Sequence, residues 1–422
     1  MMKRLLYNKL FQNAGVYTIS NIINASIPFL LLPVLTRYLT THDYGITATF
    51  QSLVGFFIPF TGLNTQGAVT RRYYDGDKVD FPVYVSTCLI ILLFSTLVLV
   101  SILLPFSSFL SRLTEFPRQW LWAIIAVAFF QQLYTIMLGI WQVRGKVYQY
   151  AIFQNSQTLL NISASLFLVI SLRMNWEGRI IGQTVSIVVY GILALVLIDR
   201  MGFLKKKISK AYLRDALKFG LPLLPYNFTG WILLSMDRIF LNNMQGLDET
   251  GLYSVAYQIC MVITLFQLSF NNAWVPWIYE KIKLKDRKLD SKIVKFSYGF
   301  ILFNFLLALL LAFVGPAFFK IFLGKNFFQA SSYLLWLALA QAANSIHIIT
   351  VSYIFFHNKN IYLTYSALFT TLIHIPVTYF MIKHNGTIGA AQSLFISNML
   401  TSLLTFIFAA RFHKLPWVLK KP

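Results

Sequence analysis

Twelve apolar stretches, separated by little more than short basic loops, decide what this chain can become. A helix that crosses a bilayer needs about 20 apolar residues, and twelve of them occupy most of the 422 positions. No segment remains that could hold a soluble catalytic domain. Lipid offers the backbone no hydrogen-bond partner, so only helices and closed barrels cross it. Barrel strands alternate apolar and polar residues over about 10 positions, whereas 83–104, 120–141 and 301–314 are continuous apolar runs. The sequence reads as an all-α polytopic membrane protein of about twelve transmembrane helices. They are expected at 10–36, 44–70, 82–110, 119–143, 149–172, 179–198, 216–241, 250–279, 293–315, 327–356, 361–382 and 386–410.

The net charge of +22 invites a nucleic-acid reading, but its distribution argues against one. With the N-terminus placed in the cytoplasm, the cytoplasmic segments carry 27 Lys and Arg, the outer loops carry 8, and Arg238 falls within a span, which accounts for all 36. Such an asymmetry is the positive-inside signature of a multi-pass protein. It places both termini in the cytoplasm and explains the charge by topology, without nucleic acid as a partner. Membrane lipids are the surroundings it implies. The first span follows a basic tip (Lys3, Arg4, Lys9), lacks a small-residue cleavage site and is too long for a signal-peptide core, so it reads as an uncleaved helix.

The two cysteines, Cys88 and Cys260, stand alone in separate apolar segments, which leaves neither a metal spacing nor a disulfide framework. No glycine loop before Lys-Ser/Thr, His-Glu zinc pair or GxSxG elbow is present. The chain is therefore read as a non-enzyme that needs no cofactor or metal. Without a nucleotide site, any transport it performs must draw on an ion gradient or a partner.

A run of six basic residues, Arg200, Lys205, Lys206, Lys207, Lys210 and Arg214, divides the spans into six and six. This connector suits a membrane surface rich in anionic headgroups, and it sets the expected domains at 1–204 and 205–422. The halves resemble each other weakly. Arg37 closes span one before Tyr44-Gly45, and Asp237-Arg238 close span seven before Thr250-Gly251; an aromatic–Gln pair follows in each half, Phe50-Gln51 and Tyr257-Gln258. Parallel repeats of this kind are a common transporter plan, with the substrate path between the halves. Prolines fall inside several spans, clustered in span one (Pro28, Pro33) and span seven (Pro222, Pro225). Each removes a backbone donor, so it is read either as a packing kink or as a place where freed carbonyls meet water.

Polar side chains inside the spans are the candidates for chemistry. Amides such as Asn24, Gln51, Gln154, Asn155, Asn161, Asn227, Gln258, Gln267 and Asn271 cannot face lipid cheaply. They serve either as glue between helices or as the lining of a hydrated path, and their number favours a path. Asp237 and Arg238 suit either a cavity or the outer interface. Arg37, Arg71 and Arg72 sit at span ends, where topology explains them, although Arg71 and Arg72 are also placed to receive a phosphate. His347 and His374 lie nearer mid-membrane, where imidazole can take up and release a proton; packing histidines are the bland alternative. Asp237, His347 and His374 are thus the ion-coupling candidates. Tyr226, Trp231, Tyr257, Trp274 and Trp277 are candidates to stack on sugar rings.

Three runs carry a family resemblance: 219–225 (FGLPLLP), 231–238 (WILLSMDR) and 251–257 (GLYSVAY). Together with the basic tip, Leu32–Leu39 and Asp43-Tyr44-Gly45, they resemble the polysaccharide-transporter branch of the MOP exporter superfamily, the Wzx-type O-antigen flippases. The resemblance covers the whole length in span count. It implies two six-helix bundles around a central cavity. It also implies movement of an undecaprenyl-diphosphate-linked oligosaccharide, O-antigen or a related lipopolysaccharide or polysaccharide repeat unit, between leaflets of a bacterial inner membrane. Ion counterflow and a polysaccharide polymerase complex as a partner belong to the same expectation. Carried over by position, Asp237 and Arg238 are the substrate or coupling residues, with Arg37, Arg71 and Arg72 behind them. A cation-coupled multidrug exporter of the MATE type is the runner-up, weakened because the first half has few buried acids; Asp43, Asp75, Asp77 and Asp80 all fall in loops. A peptidoglycan-precursor flippase is disfavoured by a span count of twelve rather than fourteen, and a glycosyltransferase or ligase by outer loops of only about ten residues.

Overall fold

A computed structural model describes residues 2–284 and 287–417, with no strand among them. Thirteen α-helices follow one another: α1 (Met2–Tyr38), α2 (Thr41–Gly62), α3 (Thr65–Arg72), α4 (Phe81–Thr114), α5 (Leu121–Val143), α6 (Val147–Leu166), α7 (Asn175–Arg200), α8 (Lys210–Gly220), α9 (Leu224–Gln245), α10 (Leu247–Leu284), α11 (Arg287–Phe322), α12 (Leu334–Phe356) and α13 (Ile361–Phe412). Seven of the described helices are long and apolar enough to cross a bilayer, and the bent pair α2–α3 makes an eighth. Helices α6 and α9 fall short on hydropathy rather than on length, and α1 supplies a further long helix. In α6 the five amides at Gln149, Gln154, Asn155, Gln157 and Asn161 are responsible, and in α9 Asn227, Asp237, Arg238, Asn242 and Asn243. Helix α13 is two spans joined at Gly386, whose φ of 59° and ψ of −144° no residue with a Cβ adopts readily. Counted this way, the architecture matches the expectation of about twelve spans. The side chains of the basic tip Lys3, Arg4 and Lys9, and those of residues 283–288 between α10 and α11, lie outside the described residues.

Two boundaries differ from the sequence reading. The second span does not run unbroken from 44 to 70; it bends by 50° between α2 and α3. Leu63 and Asn64 occupy the left-handed region there, with φ of 45° and 59°. Span seven does not begin at 216. Residues 210–220 form the separate helix α8, capped by the Ser209 hydroxyl at Tyr212 N, and Pro222 and Pro225 flank the turn into α9 rather than kinking a single helix. Pro28 and Pro33, by contrast, remain inside the continuous α1.

The chain forms two compact units. The first comprises residues up to Leu39 together with Ile46–Trp231; the second comprises Thr40–Gly45 and residues from Ile232 onward. The changeover thus lies within α9, beyond the basic connector at 204/205. The reason is local. In the first turns of α9, Asn227 donates to Asn64 Oδ1 at 2.9 Å and Trp231 Nε1 donates to the Ser52 carbonyl at 2.7 Å, which fastens these turns to the first unit.

In the second unit the short segment Thr40–Gly45 meets the start of α10. A Cβ on Gly45 would lie 2.0 Å from the Leu247 carbonyl oxygen, and one on Gly251 would lie 1.9 Å from the Thr41 carbonyl oxygen. The two glycines of the sequence repeat are therefore the points at which the chain crosses itself reciprocally, reinforced by Thr41 Oγ1 donating to Asp248. Glu249, in the same turn, accepts from the Tyr333 and Thr387 hydroxyls, each at 2.6 Å. The far end of this unit is an aromatic and aliphatic core around Trp274, Ile278, Phe300 and Tyr353, with Leu415 closing it.

Candidate functional site

Helix α9 carries Asp237 on the face that turns into the second unit, where it is only 2% exposed. Helix α13 brings His374, fully buried, to the same point. His374 Nε2 lies 3.2 Å from Asp237 Oδ1. The other carboxylate oxygen accepts from the Tyr253 hydroxyl at 2.8 Å, delivered by α10. Behind the imidazole, Nδ1 lies 2.8 Å from Ser397 Oγ, on the second half of α13. Thr378, one turn after His374, donates to Ser393 Oγ at 3.0 Å and lies 3.5 Å from Asp237 Oδ1. Residues four apart on a helix share a face, so His374 with Thr378 and Ser393 with Ser397 present two polar edges towards one carboxylate.

This arrangement can hold one extra proton without losing a hydrogen bond. With Asp237 ionised, Nε2 must carry a proton to face its oxygen, which leaves neutral Nδ1 as an acceptor for the Ser397 hydroxyl. Protonating Nδ1 makes it a donor, and the Ser397 hydroxyl turns to accept, since a hydroxyl serves in either role. The pair then changes from a net charge of −1 to 0. A buried carboxylate is tolerated only when paired and hydrogen-bonded, and here Tyr253 and His374 supply that support. Among the described residues there is no cluster of three or more His, Cys, Asp or Glu that could hold a metal ion.

Two of the three ion-coupling candidates, Asp237 and His374, thus come together. The third, His347, does not join them: its Nδ1 lies 2.9 Å from Thr405 Oγ1, between α12 and α13. Arg238 points away from its neighbour. It donates to Ser254 Oγ at 3.2 Å and to the Leu234 carbonyl at 2.6 Å, and its guanidinium sits 4.9 Å from the Tyr257 ring centroid, within cation–π range. Gln258 is half-buried on α10. Asn271, further along, has a buried side-chain oxygen without a partner.

The remaining arginine and amide candidates belong to the first unit. Arg37 is exposed in the last turn of α1. Arg71 stacks over Phe219 at 5.5 Å. Arg72 is committed to two carboxylates: Asp75 at 2.6 Å, and both oxygens of Asp215 on α8, one of them at 2.8 Å from Nε. The guanidinium holds the Asp215 carboxyl below its usual range. Asn227 serves the bend at Asn64. Of the proposed sugar-stacking rings, Trp231 is fixed by Ser52 and by Phe56, and Trp274 is 3% exposed within the aromatic core, so both are packing residues. Tyr257 lies under Arg238, and Tyr226 is exposed.

The sequence reading missed Tyr253 beside Asp237, Ser397 beside His374, and the Thr378–Ser393 pair next to them. Hydroxyls are too common in membrane helices to stand out one at a time; the i, i+4 spacing of His374 with Thr378 and of Ser393 with Ser397 was the available signal. It also missed Arg179, counted with the outer loops. Arg179 lies in α7 and donates to Asn161 Oδ1 and Ser165 Oγ, both at 2.7 Å.

Comparison with known proteins places this geometry. Lsg locus protein 1 of Haemophilus influenzae is 25% identical over 93% of this chain and 98% of its own length. Among solved structures, the inward-facing conformation of a multidrug resistance MATE family transporter of the MOP superfamily matches with a TM-score of 0.75 at 15% identity, over 93% of this chain and 94% of that one. The lipid II flippase MurJ in its inward closed conformation matches with a TM-score of 0.69 at 14% identity, over 96% of this chain and 87% of that one. At such identities the likeness is one of fold. The model of the polysaccharide biosynthesis protein family matches residues 10–282. The chain therefore belongs to the polysaccharide biosynthesis protein family and shares the fold of these transporters.

Proposed function

We propose that this protein is a flippase that carries an undecaprenyl-diphosphate-linked oligosaccharide, an O-antigen or related repeat unit, from the cytoplasmic to the periplasmic leaflet of a bacterial inner membrane by alternating access. Protons moving inward through Asp237 and His374 drive it. The observation that carries this reading is a sealed carboxylate–imidazole pair inside a chain of the polysaccharide biosynthesis family. A transporter without a nucleotide site needs a group that changes charge during the cycle, and a buried ionisable pair is the usual form of such a group in a membrane protein. The lipid II flippase of the same fold acts on a lipid-linked sugar, which supports a substrate of that chemistry here. The basic excess on one side of the predicted topology supports cytoplasmic termini. A polymerase working on the periplasmic face would then take the product.

The physics of the cargo fits. A sugar diphosphate cannot cross about 30 Å of hydrocarbon unaided, while its polyprenyl tail stays in lipid. Arginine pairs with phosphate through two parallel hydrogen bonds. Arg72 is already engaged by Asp215 and Asp75, so Arg71 and Arg238, each resting on an aromatic ring, are the better candidates for the diphosphate. Complementation tests the reading. Expressed in its own organism lacking this protein, the wild-type chain should restore surface glycan and clear the lipid-linked intermediate that accumulates on the inner leaflet. Absence of any accumulated intermediate in the deletion strain would contradict a flippase and favour a MATE-type exporter.

A further inference from the structure

Helices α6 and α7 of the first unit each show two opposed faces. On α6, Ile152 and Leu159 are 69% and 63% exposed, as befits a surface against lipid. Gln154 and Asn161, two residues after each, are turned by about 200° from them, since successive residues advance about 100°. On α7, Val185 and Val189 are exposed, and Gln183 lies on the other side. These amides meet others from neighbouring helices. Ser20 donates to Gln154 Oε1 at 2.9 Å, and Asn24 donates to Asn155 Oδ1 at 2.8 Å, both from α1. Gln51 of α2 pairs with Gln183, and Arg179 closes the row at Asn161.

Gluing helices together would bury these groups. Instead Gln51 is exposed, and Gln154, Asn161, Arg179 and Gln183 are half-exposed. An amide left open inside a membrane span must face water or a ligand. We infer that this amide row is the glycan-binding wall of the transporter, taking the hydroxyl groups of the sugar rings and not the diphosphate. Each amide offers both a donor and an acceptor, as does each sugar hydroxyl. A diphosphate would call for several cations, and the row includes one, Arg179. From Gln154 to Asn161 it rises about 10 Å along α6 at 1.5 Å per residue, so it reaches beyond one sugar ring. The inference rests on the flippase reading and adds to it a place for the sugar, separate from the coupling pair in the second unit.

The test uses the full chain in proteoliposomes loaded with one of two probes: undecaprenyl diphosphate bearing a single sugar, or bearing the complete repeat unit. Flipping is read by the access of an added glycosidase to the sugar. The double variant Gln51→Leu with Gln183→Leu should flip the complete unit about ten-fold more slowly or worse and slow the single-sugar probe several-fold less, because only the longer glycan fills a row built to hydrogen-bond it. Gln51→Asn with Gln183→Asn should recover part of the difference. Equal slowing of both probes, or of neither, would overturn the inference and leave the row as packing. Failure of the wild-type protein to flip either probe would overturn the flippase reading itself.

Discussion

In the first unit, amides meet amides at half-open positions along α1, α2, α6 and α7. In the second, the polar groups around Asp237 and Gln267 are sealed. Asp237, His374 and Ser397 are at most 2% exposed, and Gln267 is wholly buried while donating to Asn304 Oδ1 at 3.0 Å and to the Gln341 carbonyl at 2.8 Å. The row in the first unit contains a single cation and no titratable pair; the second unit contains the carboxylate–imidazole pair. An open amide row can exchange hydrogen bonds with a cargo at little cost, because water or sugar can replace each partner. A sealed pair cannot do so, but each proton it gains or loses is felt strongly, because the low dielectric around it magnifies charge. On the proposed function the contrast assigns recognition to the row and coupling to the pair, and substitutions in the two units should then fail in different ways.

The largest effect is expected at the sealed pair. Asp237→Asn removes the charge that His374 answers, so transport driven by a pH gradient should be lost altogether, while thermal unfolding changes little because the polar neighbours still find an amide partner. His374→Ala should behave differently and cost about 3–5 kcal/mol of stability, since it strands a buried carboxylate. Adding Asp237→Asn to it should restore most of that loss. Melting of the purified variants decides the matter, and additive losses would mean that the two residues are not a pair.

Next comes the crossing at Gly45 and Gly251. Gly251→Ala puts a methyl group against the Thr41 carbonyl oxygen, a backbone atom that cannot swing aside, and should cost about 1–3 kcal/mol by overpacking. Gly230→Ala, at a site with open space around the Cβ position, is the control and should be near neutral. Smaller still is Asp215→Asn, which breaks a partly exposed ion pair with Arg72. Its stability effect, read by thermal melting, should stay within about 1 kcal/mol, because Asp75 still holds Arg72.

The last expected effect depends on pH and is confined to the end of the second unit. His413 follows α13, with its Nδ1 3.3 Å from His357 Nε2 and its ring stacked on Tyr353. Burial, with His357 beside it, pushes its ionisation below the usual value of 6.5, against the opposing pull of Asp290. A histidine held neutral by the fold stabilises it at higher pH and ceases to do so as pH falls through and below that value. Segment 413–417, held by Leu415 and by Tyr298 donating to the Trp417 carbonyl at 2.6 Å, should therefore loosen on acidification. Hydrogen exchange at pH 5.5 against pH 7.5 reads this directly, and equal protection at both would refute it.

Much of the architecture was legible in the sequence because hydropathy reports span length with little regard to tertiary context. The bend after α2 was not, since it depends on Leu63 and Asn64 adopting positive φ, and only the Gly62-Leu63-Asn64 order hinted at it, through the tolerance of Asn for that region. Helix α8 was hidden by its own charge: a basic connector reads as surface, and the side of α8 that carries Ala216 and Gly220 inward shows only once the helix is drawn. Asp237 and His374 were each visible as intramembrane ionisable residues. Their pairing was not, because 137 positions separate them and only the packing of α9 on α13 brings them together. The surplus of polar residues in the spans was visible, but only the structure separates the open row along α1, α2, α6 and α7 from the sealed clusters around Asp237 and Gln267.

One measurement bears most directly on this division. Proteoliposomes holding the wild-type chain and the complete lipid-linked repeat unit are given an inward proton gradient, and luminal pH and flipping are followed together. Proton entry should accompany flipping in wild type. It should vanish with flipping in Asp237→Asn, whereas Gln51→Leu with Gln183→Leu should slow both while keeping their ratio. Undiminished gradient-driven flipping in Asp237→Asn would show that the sealed pair does not couple protons to transport and would remove the basis for separating the two units by role.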